Sequence, residues 1–217
     1  MPTARGLTER GRQRRRQLLD HAARRFATGG YDPTPVAGIV EDLGVGKGVF
    51  YWYFSSKEEL FREILREAQQ DLRRRQQQAI DGEPDPVRRL ELGIRASLGW
   101  LAEHRHLATL FSFARSDERF STMVSHGDDV AVADALRHVK EGIVAGRIRD
   151  ADPLALTHAM VGVINHLART MVLEGGADPG EVAEEAVAFC LGGLLAPGQA
   201  PAPVPGHMGP VGRAALS

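Results

Sequence analysis

The chain has 217 residues, 43% hydrophobic and 25% charged, values that exclude a mostly disordered protein and supply a core without staples. No apolar run approaches the roughly 20 residues that span a bilayer, no apolar segment follows the arginine-rich start as in a secretory signal, and the single cysteine, Cys190, excludes an internal disulfide. The net charge of −1 is uneven: residues 1–57 hold ten Lys/Arg against five Asp/Glu, and residues 58–217 hold seventeen against twenty-three. A basic head on an acidic body points to a polyanion that meets the head alone, in a soluble protein of the reducing cytoplasm with no membrane partner.

Residues 1–11 form a basic arm, and Arg5, Arg10, Arg12, Arg14, Arg15 and Arg16 precede or open the first helix. They are placed either to reach phosphates or an adjacent minor groove, or to form a solvated helix end. Leu18, Ala22 and Phe26 recur at helical spacing, and Gly29-Gly30 stops that helix. Thr34-Pro35 is read as a cap and first position for a short helix to Leu43, with Val36, Ile39, Val40 and Leu43 on its buried side. Gly44 supplies a left-handed turn, and a second short helix runs from about Lys47 to Tyr53. Two short helices across a glycine turn make a helix-turn-helix, whose second helix can enter the major groove.

Phe50 and Phe54 share a face and anchor that second helix, while the run Phe50-Tyr51-Trp52-Tyr53-Phe54 is too bulky to bury whole in a 50-residue head. Lys47, Gly48, Val49, Tyr51, Trp52 and Tyr53 are therefore expected to face outward. Tyrosine hydroxyls and Lys47 suit phosphate, Gly48 admits a close backbone, and Val49 suits a thymine methyl.

Ser56 and Glu59 fit a capping box for the next helix, and Asp85-Pro86, Asp152-Pro153 and Asp178-Pro179 mark three further helix starts. Apolar stripes follow at Val87, Leu90, Ile94, Leu98 and Leu101, at Val132, Leu136, Val139 and Ile143, and at Met160, Ile164, Leu167 and Met171. The fold class expected is all-α, with about nine helices. Its organisation is read as a three-helix head over 12–56, a helical body over 57–195 for ligand binding and dimerisation, and a disordered Pro/Gly-rich tail over 196–217.

The segments 154–173 and 181–195 are apolar on more than one side. They are either deep core or a contact with a second copy, with Val161, Ala168, Val172, Val187, Leu191 and Leu194 as the candidate interface. Trp100, Phe111, Phe113, Phe120 and Met123 are bulky groups in one span, and His126, His158, Asn165 and His166 are polar groups on apolar helices. Together they are either ordinary core or the wall of an apolar ligand pocket. His104 and His106 lack carboxylate or thiolate companions at metal-ligand spacing, so no metal or cofactor is expected. No nucleophile elbow, phosphate-cradling glycine loop or paired-histidine motif points to an enzyme.

The run Gly30-Tyr31-x-x-Thr34, then Ile39, then Gly44 through Leu60 resembles the DNA-binding head of the tetracycline-repressor (TetR) family, over about residues 12–61. The resemblance implies a homodimeric regulator, usually a repressor, that holds a palindromic double-stranded operator and releases it when a small molecule enters the body. It also implies that Thr34 caps the first motif helix and touches phosphate, that Lys47, Gly48, Val49, Tyr51, Trp52 and Tyr53 occupy the recognition helix, and that Lys57 grips the DNA backbone. Gly46 and Val49 depart from the family pattern, which often has serine or a similar cap at the first and threonine at the second, so base preference at Val49 is open. The rival reading is a helical interaction or architectural DNA-binding protein with no inducer.

Overall fold

A computed structural model describes residues 8–195 and Gly198; Arg5 of the arm and most of the 196–217 tail lie outside those residues. Among the described residues the chain is helical throughout: α1 (Glu9–Gly29), α2 (Val36–Asp42), α3 (Lys47–Tyr53), α4 (Lys57–Ile80), α5 (Pro86–Glu103), α6 (Arg105–Ser116), α7 (Ser121–Val144), α8 (Pro153–Leu167) and α9 (Pro179–Leu194). The segment expected to be one helix over 154–173 instead widens into a π-helical stretch, Ala168–Glu174, closed by the Gly175 amide donating to the Thr170 carbonyl at 3.0 Å.

The three Asp-Pro starts cap as their sequences require, with Asp85, Asp152 and Asp178 accepting from amides in the first turns of α5, α8 and α9. Ser56 accepts from the Glu59 amide at 3.0 Å. Glu59 reaches back to the amide and hydroxyl of Ser55, and those bonds hold its carboxyl below the usual range. Thr34 is the exception. The helix α2 opens at Val36, so its N-cap is Pro35, which has no side-chain acceptor, and the Thr34 hydroxyl donates to the Gly30 carbonyl at 2.7 Å.

Two apolar clusters organise the chain. The first joins α1, α2 and α3 to the first half of α4, to Leu110 and Ala114 of α6, and to Phe120 and Val124 at the start of α7. The packing of the head thus continues past residue 56 and is shared with the body. The second holds Val87, Leu90, Ile94 and Leu98 of α5 against Val139, Met160, Val172 and one side of α9. Buried Glu91 is held by Arg88 at 2.5 Å and Arg95 at 2.9 Å, and Arg95 also pairs with Glu184 of α9. The α5–α9 contact is thereby charged as well as apolar.

These clusters correct the proposed interface residues. Val172, Val187, Leu191 and Leu194 are each no more than 6% exposed within one chain, because Val182, Ala183, Ala186, Val187, Cys190, Leu191 and Leu194 form a single stripe facing α5 and α8. Burial there pushes the Cys190 thiol up to about 11. The large apolar side chain left uncovered on α9 is Phe189, 67% exposed.

Phe61 sits at the centre of the first cluster with no exposed surface. Phe61→Ala is expected to lower unfolding free energy by about 3–5 kcal/mol in urea titration. Because head and body share that cluster, fluorescence and circular dichroism should report one coincident transition.

Candidate DNA-binding face and interior cavity

The recognition face is set by the turn before α3. Gly44 adopts φ 63°, a left-handed conformation that costs other residues about 1–2 kcal/mol. Its amide donates to the Glu41 carbonyl at 2.9 Å, and the Val45 amide donates to the Val40 carbonyl at 3.0 Å. Gly46 then opens α3 without a side-chain cap.

Phe50 and Phe54 are buried, which fixes the rotation of α3 and leaves Tyr51 and Trp52 each 50% exposed. Lys47 and Gly48 are also exposed, and a Cβ on Gly48 would meet nothing within 4 Å. Val49 is half-buried. Tyr53 is half-buried too, packed against the first cluster with Trp52 edge-on at 4.5 Å. The outward set is therefore Lys47, Gly48, Tyr51 and Trp52, with Val49 and Tyr53 at its margin.

Lys57 and Thr34 have other work than gripping phosphate. The Lys57 ammonium donates to the carbonyls of Tyr31 (2.9 Å), Thr34 (3.1 Å) and Asp32 (3.2 Å), and lies 4.4 Å from the Tyr31 ring centroid. An ammonium has three donors, and all three are spent inside the protein. Burial holds its pKa below the ordinary lysine value. Thr34 is buried, with its hydroxyl committed to Gly30. Both residues shape the α1–α2 turn.

The basic arm is likewise partly committed. Arg15 pairs with Glu63 at 2.6 Å and with Glu67, and its guanidinium lies 5.4 Å from the Phe54 ring centroid. Arg12 pairs with Glu9 at 2.6 Å.

From the body, the α6–α7 turn reaches the same place. Arg119 lies 4.9 Å from the Tyr31 ring centroid and pairs with Asp32 at 3.1 Å and Asp117 at 2.6 Å. Those carboxylates raise its pKa further above its already high value.

A cavity of about 760 Å³ runs through the body between α4, α5, α6, α7, α8 and the π-helical stretch. Leu90, Ile94, Leu98, Leu101, Phe111, Met160 and Ile164 give it apolar walls. Trp100, Phe111, His126, Asn165 and His166 line it as the sequence suggested. The Trp100 indole N–H donates to Asp71 at 2.8 Å and the ring stacks on His104 at 4.6 Å, so one face of the tryptophan is fixed.

Phe113, Phe120 and Met123 do not line the cavity; they pack into the first cluster around Tyr31 and Phe61. His158 is exposed on α8, outside the wall. Val161 and Ala168, read from sequence as interface candidates, line the cavity instead. At the α4–α7 seam, Gln69 packs across Gly127, where a Cβ would fall 1.9 Å from its amide nitrogen, and Arg73 pairs with Asp134 at 2.7 Å.

Comparison with known proteins gives this geometry a lineage. Residues 18–64 match the bacterial regulatory proteins of the tetR family. The chain is 31% identical over 175 residues to the HTH-type transcriptional repressor Rv1474c of Mycobacterium tuberculosis, covering 78% of this chain and 87% of that one. This chain belongs to the TetR family. It is also 25% identical over 201 residues to the uncharacterized HTH-type transcriptional regulator YdgC of Bacillus subtilis, covering 88% and 98% of the two chains. The structure of the ketosteroid transcriptional regulator KstR2 of Mycobacterium tuberculosis superposes with a TM-score of 0.67 at 26% identity, over 84% of this chain and 95% of that one. TetR-family membership makes the chain a DNA-binding transcriptional regulator rather than an enzyme.

Sequence reasoning missed two parts of this TetR-family body. Arg89 and His138 line the cavity and touch each other, but they are 49 positions apart and carry no local signature. Exposed Phe189 had a faint signal, as the aromatic lying off the regular stripe of α9.

The two lysines of the head should separate by salt dependence. Lys47→Ala is expected to reduce the slope of log K against log salt by about 1 per head. Lys57→Met should leave the slope unchanged and lower the stability of the protein by about 2 kcal/mol, read by thermal melting.

Proposed function

We propose that the protein is a homodimeric repressor whose paired heads hold a palindromic operator in the cytoplasm and release it when a small, largely apolar molecule fills the body cavity. The observation that carries the DNA-binding part is the exposed Tyr51–Trp52 pair beside Lys47 and Gly48, on a helix whose rotation is fixed by buried Phe50 and Phe54. Residues 12–56 serve as the reading head and 57–195 as the sensing and dimerising body, with the first half of α4 completing the core of the head.

Pairing of two copies is assigned to the outer faces of α8 and α9. Phe189 is 67% exposed, and Ala188, Gly192 and Gly193 beside it in sequence are small and exposed, which suits close helix approach. For the effector, the support is the apolar wall of the cavity. The name of KstR2, a ketosteroid regulator, is in keeping with an apolar effector. Among the described residues no helix is long and apolar enough to cross a membrane.

Repressor and inducer roles meet in one linkage. To take the heads from mostly bound to mostly released, an effector must favour the released state by about 10²–10⁴-fold. Operator DNA must then weaken effector binding by the same factor.

Three measurements test the reading. Binding to the DNA upstream of the protein's own coding sequence should show a salt slope of about −5 to −7, as expected for six to eight neutralised phosphates per dimer; a slope near zero would refute backbone-led binding. Phe189→Glu should sediment as a folded monomer with operator affinity lost, whereas Leu191→Glu should unfold the chain, because its side chain lies in the core. A Phe189→Glu protein that stays dimeric would move the interface elsewhere.

A further inference from the structure

The cavity has two unlike ends. Along α5 its wall runs from Arg89 to Leu101, about 18 Å at helical rise. Trp100 and Phe111 belong to the end nearest the head, and the far end is made by Arg89 and His138. That far end holds polar groups whose hydrogen-bonding capacity is not used up.

His138 is 7% exposed. Its Nδ1 lies 3.2 Å from Nη1 of Arg89. A guanidinium can only donate, so Nδ1 accepts and the ring proton of the neutral imidazole sits on Nε2. Burial first, then the charges of Arg89 and Arg137, hold His138 below the ordinary histidine pKa and so keep the ring neutral. The outcome is an imidazole of fixed tautomer, with an N–H donor as its remaining polar atom.

Arg89 spends Nη2 on Glu141 at 2.6 Å. Its Nε is shut off from solvent and has no hydrogen-bond partner among the described residues. Buried N–H groups of this kind are ordinarily satisfied. That N–H is sealed from the chamber as well, so the donor left for a ligand at this end is His138 Nε2–H, beside the positive charge of Arg89. Arg137 adds a further positive charge on the same wall.

We propose that the effector is an elongated amphiphile carrying a carboxylate, held with its acidic group on Arg89 and His138 and its apolar body along α5 toward Trp100 and Phe111. This rests on the reading of the cavity as the effector site and adds the chemical class. A carboxylate offers about four lone-pair positions and no proton, so it can accept from His138 Nε2–H while its charge is met by that of Arg89. An ester of the same chain keeps the apolar body and a weaker acceptor but loses the charge.

The test uses the full-length protein with Trp52→Phe, so that Trp100 alone reports. Dodecanoate and methyl dodecanoate are titrated below their aggregation limits, and binding is read by tryptophan emission and checked by calorimetry. Dodecanoate is expected to bind at least 10-fold more tightly than its ester. Arg89→Met and His138→Phe should each remove that preference while changing ester affinity by less than about threefold. His138→Gln, which keeps a side-chain N–H donor, should restore part of it.

Equal affinities for acid and ester in the Trp52→Phe protein would overturn the acidic class and leave the cavity reading standing. Binding of neither probe would overturn both. If Arg89→Met fails to fold, the acid–ester comparison and the two His138 variants decide the matter. A preference for acid that persists in both His138 variants would place the carboxylate elsewhere and overturn the assignment.

Discussion

The contact between Tyr31 and its surroundings is the constraint on which the rest of the head depends. Its ring meets Phe26, Phe61, Phe113 and Phe120 at centroid distances of 4.8–5.6 Å, with Lys57 and Arg119 as cations near its ring. Aromatic pairs add about 0.5–1.5 kcal/mol each beyond the area they bury. The carbonyls of the same turn satisfy the Lys57 ammonium, so burying that charge is offset by hydrogen bonds as well as by the ring. Removing Lys57 therefore loosens the turn that sets α2 and α3, even though no DNA contact need be lost.

The same cluster joins the head to the wall of the cavity. Phe26 and Phe61 come from α1 and α4, whereas Phe113 lies on α6 and Phe120 just before α7. Helix α6 faces two ways: Leu110 and Ala114 enter the first cluster, and Ala108, Phe111, Ser112 and Arg115 line the cavity. A rigid helix with one side in a close-packed core and the other in a chamber transmits a shift rather than absorbing it. Arg119, at the end of that path, holds Asp32 of the head.

The chamber coexists with a well-packed second cluster because α5 divides its surface. Leu90, Ile94 and Leu98 contribute to both, while charged Glu91 and Arg95 fix α5 to α9 through Glu184. The ion pairs anchor α5 against the body, so an open wall can be kept beside a closed one. A buried Glu91 without Arg88 and Arg95 would be an unpaired charge, a more costly defect than an empty apolar volume.

The sequence by itself determined what depends on neighbours in the chain. Glycine at 44 set the turn, Asp-Pro pairs and Ser56 set helix starts, and the four-residue spacing of Phe50 and Phe54 turned Tyr51 and Trp52 outward, because each is a local matter of backbone or helical period. The TetR resemblance was legible for the same reason, since its motif is nearly contiguous. What tertiary structure decided was the use of groups whose partners are far away. Lys57 went to the carbonyls of the 31–34 turn, Phe113 and Phe120 joined the Tyr31 cluster, and Leu191 turned into the core while Phe189 was left outside. Arg89 met His138 across 49 residues. A side chain at a given spacing advertises its face of a helix, but what that face meets is fixed only when the other helices pack against it.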